Sequence, residues 1–121
     1  MHWKIDSSRP VYLQIMEHIR SAVLSNEFPP GIRIPSVRDL AVAASVNPNT
    51  MQRALTELEH EGLLICKGTL GRFVTDDSEI LDAIRQEAIT QAVRTSAAQF
   101  RTLGLTMEEA ARLISCYKEE T

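Results

Sequence analysis

Two short helical patterns meet across a very short turn in residues 34–62, and this segment constrains the fold most. Ser36 begins the first pattern, where its hydroxyl can cap the helix, and Asp39 follows three residues later in the spacing of a capping box. Asn47 followed by Pro48 begins the second pattern, because proline at the first helical position lacks only an N–H that would be unpaired anyway. Two residues separate the patterns. The spacing predicts a helix-turn-helix.

Each of these predicted helices has an apolar face at helical spacing. Small Ala41 lets the two helices approach closely, and Gly62 is suited to a left-handed residue at the end of the second helix. The expected core positions are Val37, Leu40, Ala41 and Ala44 on the first helix and Met51, Ala54, Leu55 and Leu58 on the second.

The opposite face of the second helix carries a polar stripe, defined by Asn49, Gln52, Arg53 and Thr56. In the major groove of DNA, Asn and Gln can pair with adenine, Arg can pair with guanine, and Thr can reach a base or the thymine methyl group. The stripe therefore indicates base recognition. The alternative is an ordinary solvent-exposed face of an amphipathic helix.

The charge distribution favours DNA only near this segment. The whole chain of 121 residues has a net charge of −3 and a pI near 5.6, which argues against a nonspecific nucleic-acid coat protein but not against a sequence reader. Residues 33–53 hold Arg33, Arg38 and Arg53 against Asp39 alone. Residues 78–121 hold five basic and seven acidic residues, so we do not expect them to lie on phosphate.

The segments before the helix-turn-helix predict a cover and a supporting helix. Residues 1–8 are expected to form an extended lead-in whose Trp3 and Ile5 pack on the first helix. Apolar positions recur at helical spacing over residues 10–25, which supplies the third helix of a three-helix core. Residues 26–35 contain two prolines and a glycine in succession and are predicted to be a loop.

The segment after the helix-turn-helix predicts a β-hairpin. Residues 63–67 and 72–75 are rich in β-formers and flank a turn with a glycine at each end. A hairpin at this position makes a winged helix, with residues 63–75 as the wing. Lys67 and Arg72 are cations that can reach phosphate or a narrow minor groove. The alternative is a small hairpin that only covers the core.

Residues 78–121 predict a separate helical domain after a DNA-binding domain of residues 1–77. A long helix is expected until Gly104, and Thr106 with Glu109 forms a capping box for a last helix. Two such helices carry more apolar surface than they can bury against each other, so we expect a homodimer. Its predicted interface residues are Ile84, Ile89, Val93, Phe100, Leu103 and Ile114. The alternative is a monomer in which these helices pack back on the winged helix.

Other classes of protein lack support in the sequence. No nucleophile motif or phosphate-binding glycine loop is present, so we predict no enzyme activity. Cys66 and Cys116 lie far apart and the three histidines are scattered, so we expect reduced thiols and neither a metal nor another cofactor. No signal peptide or apolar run of membrane-spanning length is present, which predicts a cytoplasmic protein without membrane contact.

The chain resembles the amino-terminal DNA-binding domain of the GntR family of bacterial transcription regulators over about residues 9–75. The resemblance lies in PVYLQIMEHIRSAV, FPPGIRIPSVRDLAVAASVNPNTMQRALTELEHEGLL and GRFVT, in this order. It implies that Tyr12 lies near a phosphate or braces the core. It also implies that Ser36 and Arg38 hold backbone phosphates, that Asn49, Thr50, Gln52 and Arg53 lie at base edges and adjacent phosphates, and that Thr69, Gly71 and Arg72 lie at the wing tip.

The short carboxy-terminal part resembles that of the YtrA subfamily, whose members are commonly dimeric repressors of neighbouring operons, often operons for ABC transporters. It is too short for a pocket that encloses a small molecule. The wing segment, residues 69–75, is also typical of that subfamily. One departure is Gly68, where the subfamily commonly has Arg, although the adjacent Lys67 can compensate.

Together these features predict a mainly α-helical protein with one small β-hairpin, a winged helix-turn-helix followed by a two-helix dimerisation tail. We expect a transcription regulator that binds a two-fold DNA operator as a homodimer, with residues 48–61 in the major groove. The alternative is a winged-helix module that binds another protein, but the polar stripe lacks the aromatic anchors of such surfaces. A third interpretation adds an effector at the dimer interface, although no buried charged cluster indicates one.

Overall fold

The computed structural model describes residues 1–119, and within them the chain forms five α-helices and one antiparallel pair of strands. These elements are α1 (Val11–Leu24), α2 (Val37–Ala44), α3 (Pro48–His60), β1 (Leu64–Cys66), β2 (Arg72–Val74), α4 (Ser78–Thr102) and α5 (Met107–Cys116). The chain divides into two compact units, the first of residues 1–84 and the second beginning at Arg85. The last two residues of the predicted 78–121 domain lie outside the described residues.

The amino-terminal unit is built on a three-helix core, as the sequence predicted. Helix α3 packs against both α1 and α2. All four predicted core residues of α3 are buried, as are Leu40, Ala41 and Ala44 of α2, while Val37 is partly buried against the same core. From α1, Ile15 and Ile19 are completely buried.

The lead-in before α1 is tied to the core by a buried amide. The Gln14 side chain is 3% exposed, and its Nε2 donates to the carbonyl oxygens of Asp6 and Arg9 at 2.8 and 2.9 Å. In return, the Asp6 backbone N–H donates to Gln14 Oε1 at 3.0 Å. Trp3 and Ile5 pack against the core, so the predicted hydrophobic cover is confirmed.

Local capping defines the turn between α2 and α3. The Ser36 hydroxyl accepts a hydrogen bond from the Asp39 backbone N–H at 3.1 Å, and Asn47 Oδ1 accepts one from the Asn49 N–H at 2.8 Å. Between these caps, Ser45 adopts a φ of 55°, in the left-handed region. The Val46 N–H then donates to the Ala41 carbonyl at 3.0 Å, which closes the end of α2.

The predicted hairpin is present, and it gains a third segment that the sequence did not reveal. Strands β1 and β2 pair with Leu64 opposite Val74, and a short 3₁₀ turn, Gly68–Leu70, forms the tip. Residues 31–34 pair with the other edge of β2, through hydrogen bonds that join Ile34 N to the Arg72 carbonyl at 2.9 Å and Val74 N to the Ile32 carbonyl at 2.8 Å. The predicted loop over residues 26–35 thus supports the wing.

Gly62 lets the chain turn sharply from α3 into the hairpin. Its φ is 85°, and the Leu63 N–H donates to the Leu58 carbonyl at 3.1 Å, so the predicted left-handed end of α3 is confirmed. A Cβ atom on Gly62 would lie 3.2 Å from Ile80 Cδ1 of α4. The chain therefore needs glycine here both for its backbone conformation and for close packing.

The first turns of α4 belong to the amino-terminal unit, since Leu81 and Ile84 pack against its core. This packing places the boundary between compact units after Ile84, inside α4, whereas the sequence indicated a domain boundary after residue 77. The predicted division into a DNA-binding domain and a dimerisation domain after residue 77 remains a prediction. Because α4 begins at Ser78 and continues through Ile84 without a break, composition alone does not mark where the packing ends.

The second unit contains the rest of α4 and α5. The predicted capping box is confirmed, because the Glu109 N–H donates to Thr106 Oγ1 at 3.1 Å and the Thr106 N–H donates to Glu109 Oε1 at 3.3 Å. Gly104, at a φ of 83°, ends α4 as predicted. Among the described residues from Arg85 onward, only Ala110 is buried.

Gly62→Ala should lower the free energy of unfolding by about 1–2 kcal/mol, because it forces an L side chain into the left-handed region and against Ile80. Gly31→Ala is the matched control, since Gly31 has a φ of 80° but no atom within 4 Å of the added Cβ. Urea unfolding followed by circular dichroism should show the larger loss for Gly62→Ala, partly restored by adding Ile80→Val. Equal losses for the two alanine variants would show that the Ile80 contact is unimportant.

Candidate nucleic-acid interface

Helix α3 presents the polar stripe to solvent. Asn49, Gln52 and Arg53 are exposed, Thr56 is partly exposed, and the opposite side of the helix is buried in the core. Gln52 Nε2 donates to Thr56 Oγ1 at 3.3 Å along the stripe. Thr50 is partly exposed beside it. The packing therefore leaves the residue types that can read bases on an accessible surface.

Arg53 is held by an aromatic ring from another helix. Its Cζ atom lies 3.7 Å from the centroid of the Tyr12 ring, within the range of a cation–π interaction. Tyr12 comes from the first turn of α1 and is partly buried against the core. The resemblance implied that Tyr12 lies near a phosphate or braces the core. The structure shows that it packs on the core and also contacts the stripe.

A cationic cleft lies between the start of α2 and the wing. It has a volume of about 310 Å³, and its polar lining consists of Arg33, Ser36, Arg38 and Arg72. Ser36 and Arg38 are exposed. In the described part of the chain, neither Arg33 nor Arg38 forms an ion pair with a carboxylate. The cleft therefore combines cationic donors with the positive end of α2.

Arg33 belongs to this cleft, whereas the sequence indicated only its contribution to the local positive charge. Residue 33 bridges to Phe73 in β2, which brings its side chain to the wing. A Cβ atom on Gly71 would lie 3.1 Å from Arg33 Nε, so the guanidinium group rests closely against that glycine. The pairing of residues 31–34 with β2 is a long-range contact, and no local pattern in the sequence indicates it.

The wing presents fewer free cations than the resemblance implied. Arg72 lies at the start of β2, where its Nε donates to the Glu59 carboxylate of α3, and its side chain is 16% exposed. Lys67 is exposed and its Nζ lies 4.6 Å from the Phe73 ring centroid. Thr69 is exposed in the tip, and Gly71 follows the tip turn. Thus Arg72 joins the wing to α3, and its contact with DNA stays a prediction.

The residues predicted for dimerisation fall into three environments. Ile84 packs against the amino-terminal core, and Phe100 is partly buried beside a groove of about 300 Å³ in the second unit. This groove, the apolar groove, is lined by α4 and α5 residues that include Val93, Ala97, Phe100, Met107 and Ile114. The remaining predicted residues are exposed: Ile89, Val93, Leu103 and Ile114.

Metal ligands, thiols and apolar helices bear on the other kinds of site that residues 1–119 could form. No group of three or more His, Cys, Asp or Glu side chains there is arranged to hold a metal ion. Cys66 and Cys116 are exposed free thiols. None of the helices in this range combines the length and apolar character that a membrane span requires.

Comparison with known sequences gives matches along most of the chain. Residues 11–74 match the family described as bacterial regulatory proteins, gntR family. The HTH-type transcriptional regulator YhcF of Bacillus subtilis is 34% identical over 116 residues, which are 96% of each chain. The HTH-type transcriptional repressor YtrA of the same organism is 36% identical over 73 residues, covering 60% of this chain and 56% of YtrA.

Solved structures agree with these matches. A GntR family transcriptional regulator from Listeria monocytogenes aligns with a TM-score of 0.85 and 26% identity, covering 94% of this chain and 100% of that one. AraR(DBD), solved in complex with operator ORX1, aligns with a TM-score of 0.54 and 26% identity over 62% of this chain and 99% of its own. The predicted fold, a winged helix-turn-helix followed by two helices, is confirmed. The chain belongs to the GntR family of bacterial regulatory proteins.

Proposed function

We propose that this protein is a transcription regulator that reads a DNA operator with α3 in the major groove. The observation that carries the proposal is the exposed stripe of Asn49, Gln52 and Arg53 on a helix whose other face is buried. A buried face fixes the rotation of the helix, so the same side chains always point outward. Rigid presentation of Asn, Gln and Arg is what bidentate recognition of adenine and guanine requires.

The cationic cleft supplies the contacts that position such a helix. Arg33 and Arg38 lie beside the Ser36 hydroxyl at the start of α2, and neither is paired with a carboxylate within residues 1–119. Phosphate contacts orient a protein on DNA without reading its sequence. We assign that role to Ser36, Arg33 and Arg38, with Lys67 and Thr69 of the wing reaching the adjacent backbone or minor groove.

The two-helix tail supports a homodimer. Val93 of α4, Leu103 in the turn after α4 and Ile114 of α5 are 62%, 74% and 58% exposed in the single chain, an unusual exposure for large apolar residues grouped in one small unit. Covering them against the same surface of a second copy would make a two-fold interface. Such a dimer suits a two-fold operator whose half-sites lie about one DNA turn apart.

The family relationship supports the direction of regulation. YtrA of Bacillus subtilis is called a repressor, and AraR(DBD) has been solved on an operator. We place this protein in the YtrA subfamily because of that similarity and its short helical tail, and we propose that it represses a neighbouring operon, such as one for a transporter. It would act in the cytoplasm and without catalytic activity. The apolar groove could admit an effector, but the lining residues named above carry no charge to recognise one.

Arg53→Ala should weaken binding to a DNA site selected by the wild-type protein by about 1–3 kcal/mol, because it removes a contact to a base edge. Lys67→Ala is the control for a phosphate contact. It should weaken binding to the selected and the shuffled duplex to a similar extent. It should also lower the slope of log affinity against log salt concentration by about one. Fluorescence anisotropy at several salt concentrations measures both. An unchanged preference of Arg53→Ala for the selected site would show that Arg53 does not read a base.

Val93→Glu should convert the proposed dimer to a monomer, because it buries a charge in an apolar interface. Gln91→Glu introduces the same group on another side of α4, at an exposed position, and should leave the dimer intact. Sedimentation velocity of the three proteins at equal concentration measures their mass. A wild-type monomer, or a dimer that survives Val93→Glu and Leu103→Glu, would place the interface elsewhere.

A further inference from the structure

The arginines of the amino-terminal unit differ in what holds their side chains. Arg20 and Arg72 donate to the carboxylates of Glu61 and Glu59, and Arg9 pairs with Glu17. Arg53 has no carboxylate partner within residues 1–119, although it lies on the same helix as Glu57 and Glu59. Its guanidinium group lies over the Tyr12 ring instead, with Cζ 3.7 Å from the ring centroid.

This difference matters for recognition because a guanidinium group has a limited number of N–H donors. A carboxylate occupies its N–H groups, often two at once, and those donors are then lost to any other acceptor. An aromatic ring attracts the cation through its π face and accepts none of the N–H groups in an ordinary hydrogen bond. The Tyr12 contact therefore restrains Arg53 while leaving its donors available for a base.

Tyr12 is well placed to act as a fixed support. It lies in the first turn of α1, is partly buried against the core, and is followed by Gln14, whose amide is buried and fully engaged with the lead-in. The ring thus belongs to the packed part of the unit, whereas Arg53 is exposed. A long side chain that is ordered before binding loses less rotamer freedom when it meets its target.

We infer that Tyr12 is a specificity-determining positioning residue, which holds the Arg53 guanidinium over its ring so that Arg53 can discriminate one base pair of the operator. This inference rests on the proposed function and assigns a new role within it. Tyr12 itself reads no base. It acts through Arg53, so its effect is confined to the base pair that Arg53 recognises.

The free protein provides the first test, with Tyr12→Leu and the matched control Tyr12→Phe, which keeps the ring and loses the hydroxyl. In NMR spectra without DNA, the Arg53 side-chain protons should show an upfield ring-current shift in wild-type protein and in Tyr12→Phe, and lose it in Tyr12→Leu. Thermal unfolding and the dispersion of the spectra show whether each variant is folded. Absence of the shift in folded wild-type protein would overturn the inference without reference to DNA.

The second test uses a duplex selected by the wild-type protein, together with single base-pair variants of that duplex. Tyr12→Leu should reduce discrimination about two- to fivefold at the position where Arg53→Ala also reduces it, and nowhere else. In the Arg53→Ala background, Tyr12→Leu should have no further effect. Tyr12→Phe should match the wild type throughout.

Three results contradict the inference in different ways. If folded Tyr12→Leu keeps full discrimination, Tyr12 does not position Arg53, and the proposed function stands. If Tyr12→Phe weakens binding to the selected and the shuffled duplex alike, the hydroxyl binds phosphate and Tyr12 has a different role. If the wild-type protein selects no sequence, the proposed function fails, and the positioning role fails with it.

Discussion

Four side chains on one face of α3, Met51, Ala54, Leu55 and Leu58, are completely buried between α1, α2 and the wing, and the rest of the unit depends on this packing. It fixes the rotation of α3 and so determines which residues the helix exposes. The caps at Ser36 and Asn47 bring α2 and α3 together across the left-handed Ser45. Gly62 then directs the chain into the hairpin. A base-reading stripe on α3 is therefore a consequence of how its opposite face is packed.

The use of arginine separates structural charges from those available to a ligand. Glu59 holds Arg72 and Glu61 holds Arg20, so these two guanidinium groups stabilise the contacts that α3 makes with the wing and with α1. Arg33 and Arg38 lie around the cationic cleft, and Arg53 rests on Tyr12. This division explains how a chain with a net charge of −3 can present a positive surface, because a phosphate-binding surface requires only local cations.

Local patterns predicted the elements well, and long-range contacts account for what was missed. Helix caps, the end of α3 and the Thr106 capping box depend on residues within five positions of each other, so the sequence was sufficient to predict them. The pairing of residues 31–34 with β2 was missed because its partners lie about forty positions away and the segment contains prolines and a glycine. The Glu59 partner of Arg72 and the Tyr12 contact of Arg53 also join different elements of the fold. The sequence therefore indicated neither of them.

The measurement that tests sequence-specific DNA binding most directly is an anisotropy titration of the purified protein. Its targets are the DNA upstream of its own gene and a shuffled duplex of equal composition, each at several salt concentrations. The account predicts a marked preference for the upstream DNA, with an affinity that falls as salt rises. If the protein shows no preference for that fragment, the same titration with a duplex selected from random sequence decides whether the protein reads DNA sequence. Weak and equal binding to the selected and shuffled duplexes, or no binding even at low salt, would contradict the account and favour a winged-helix module that binds another protein.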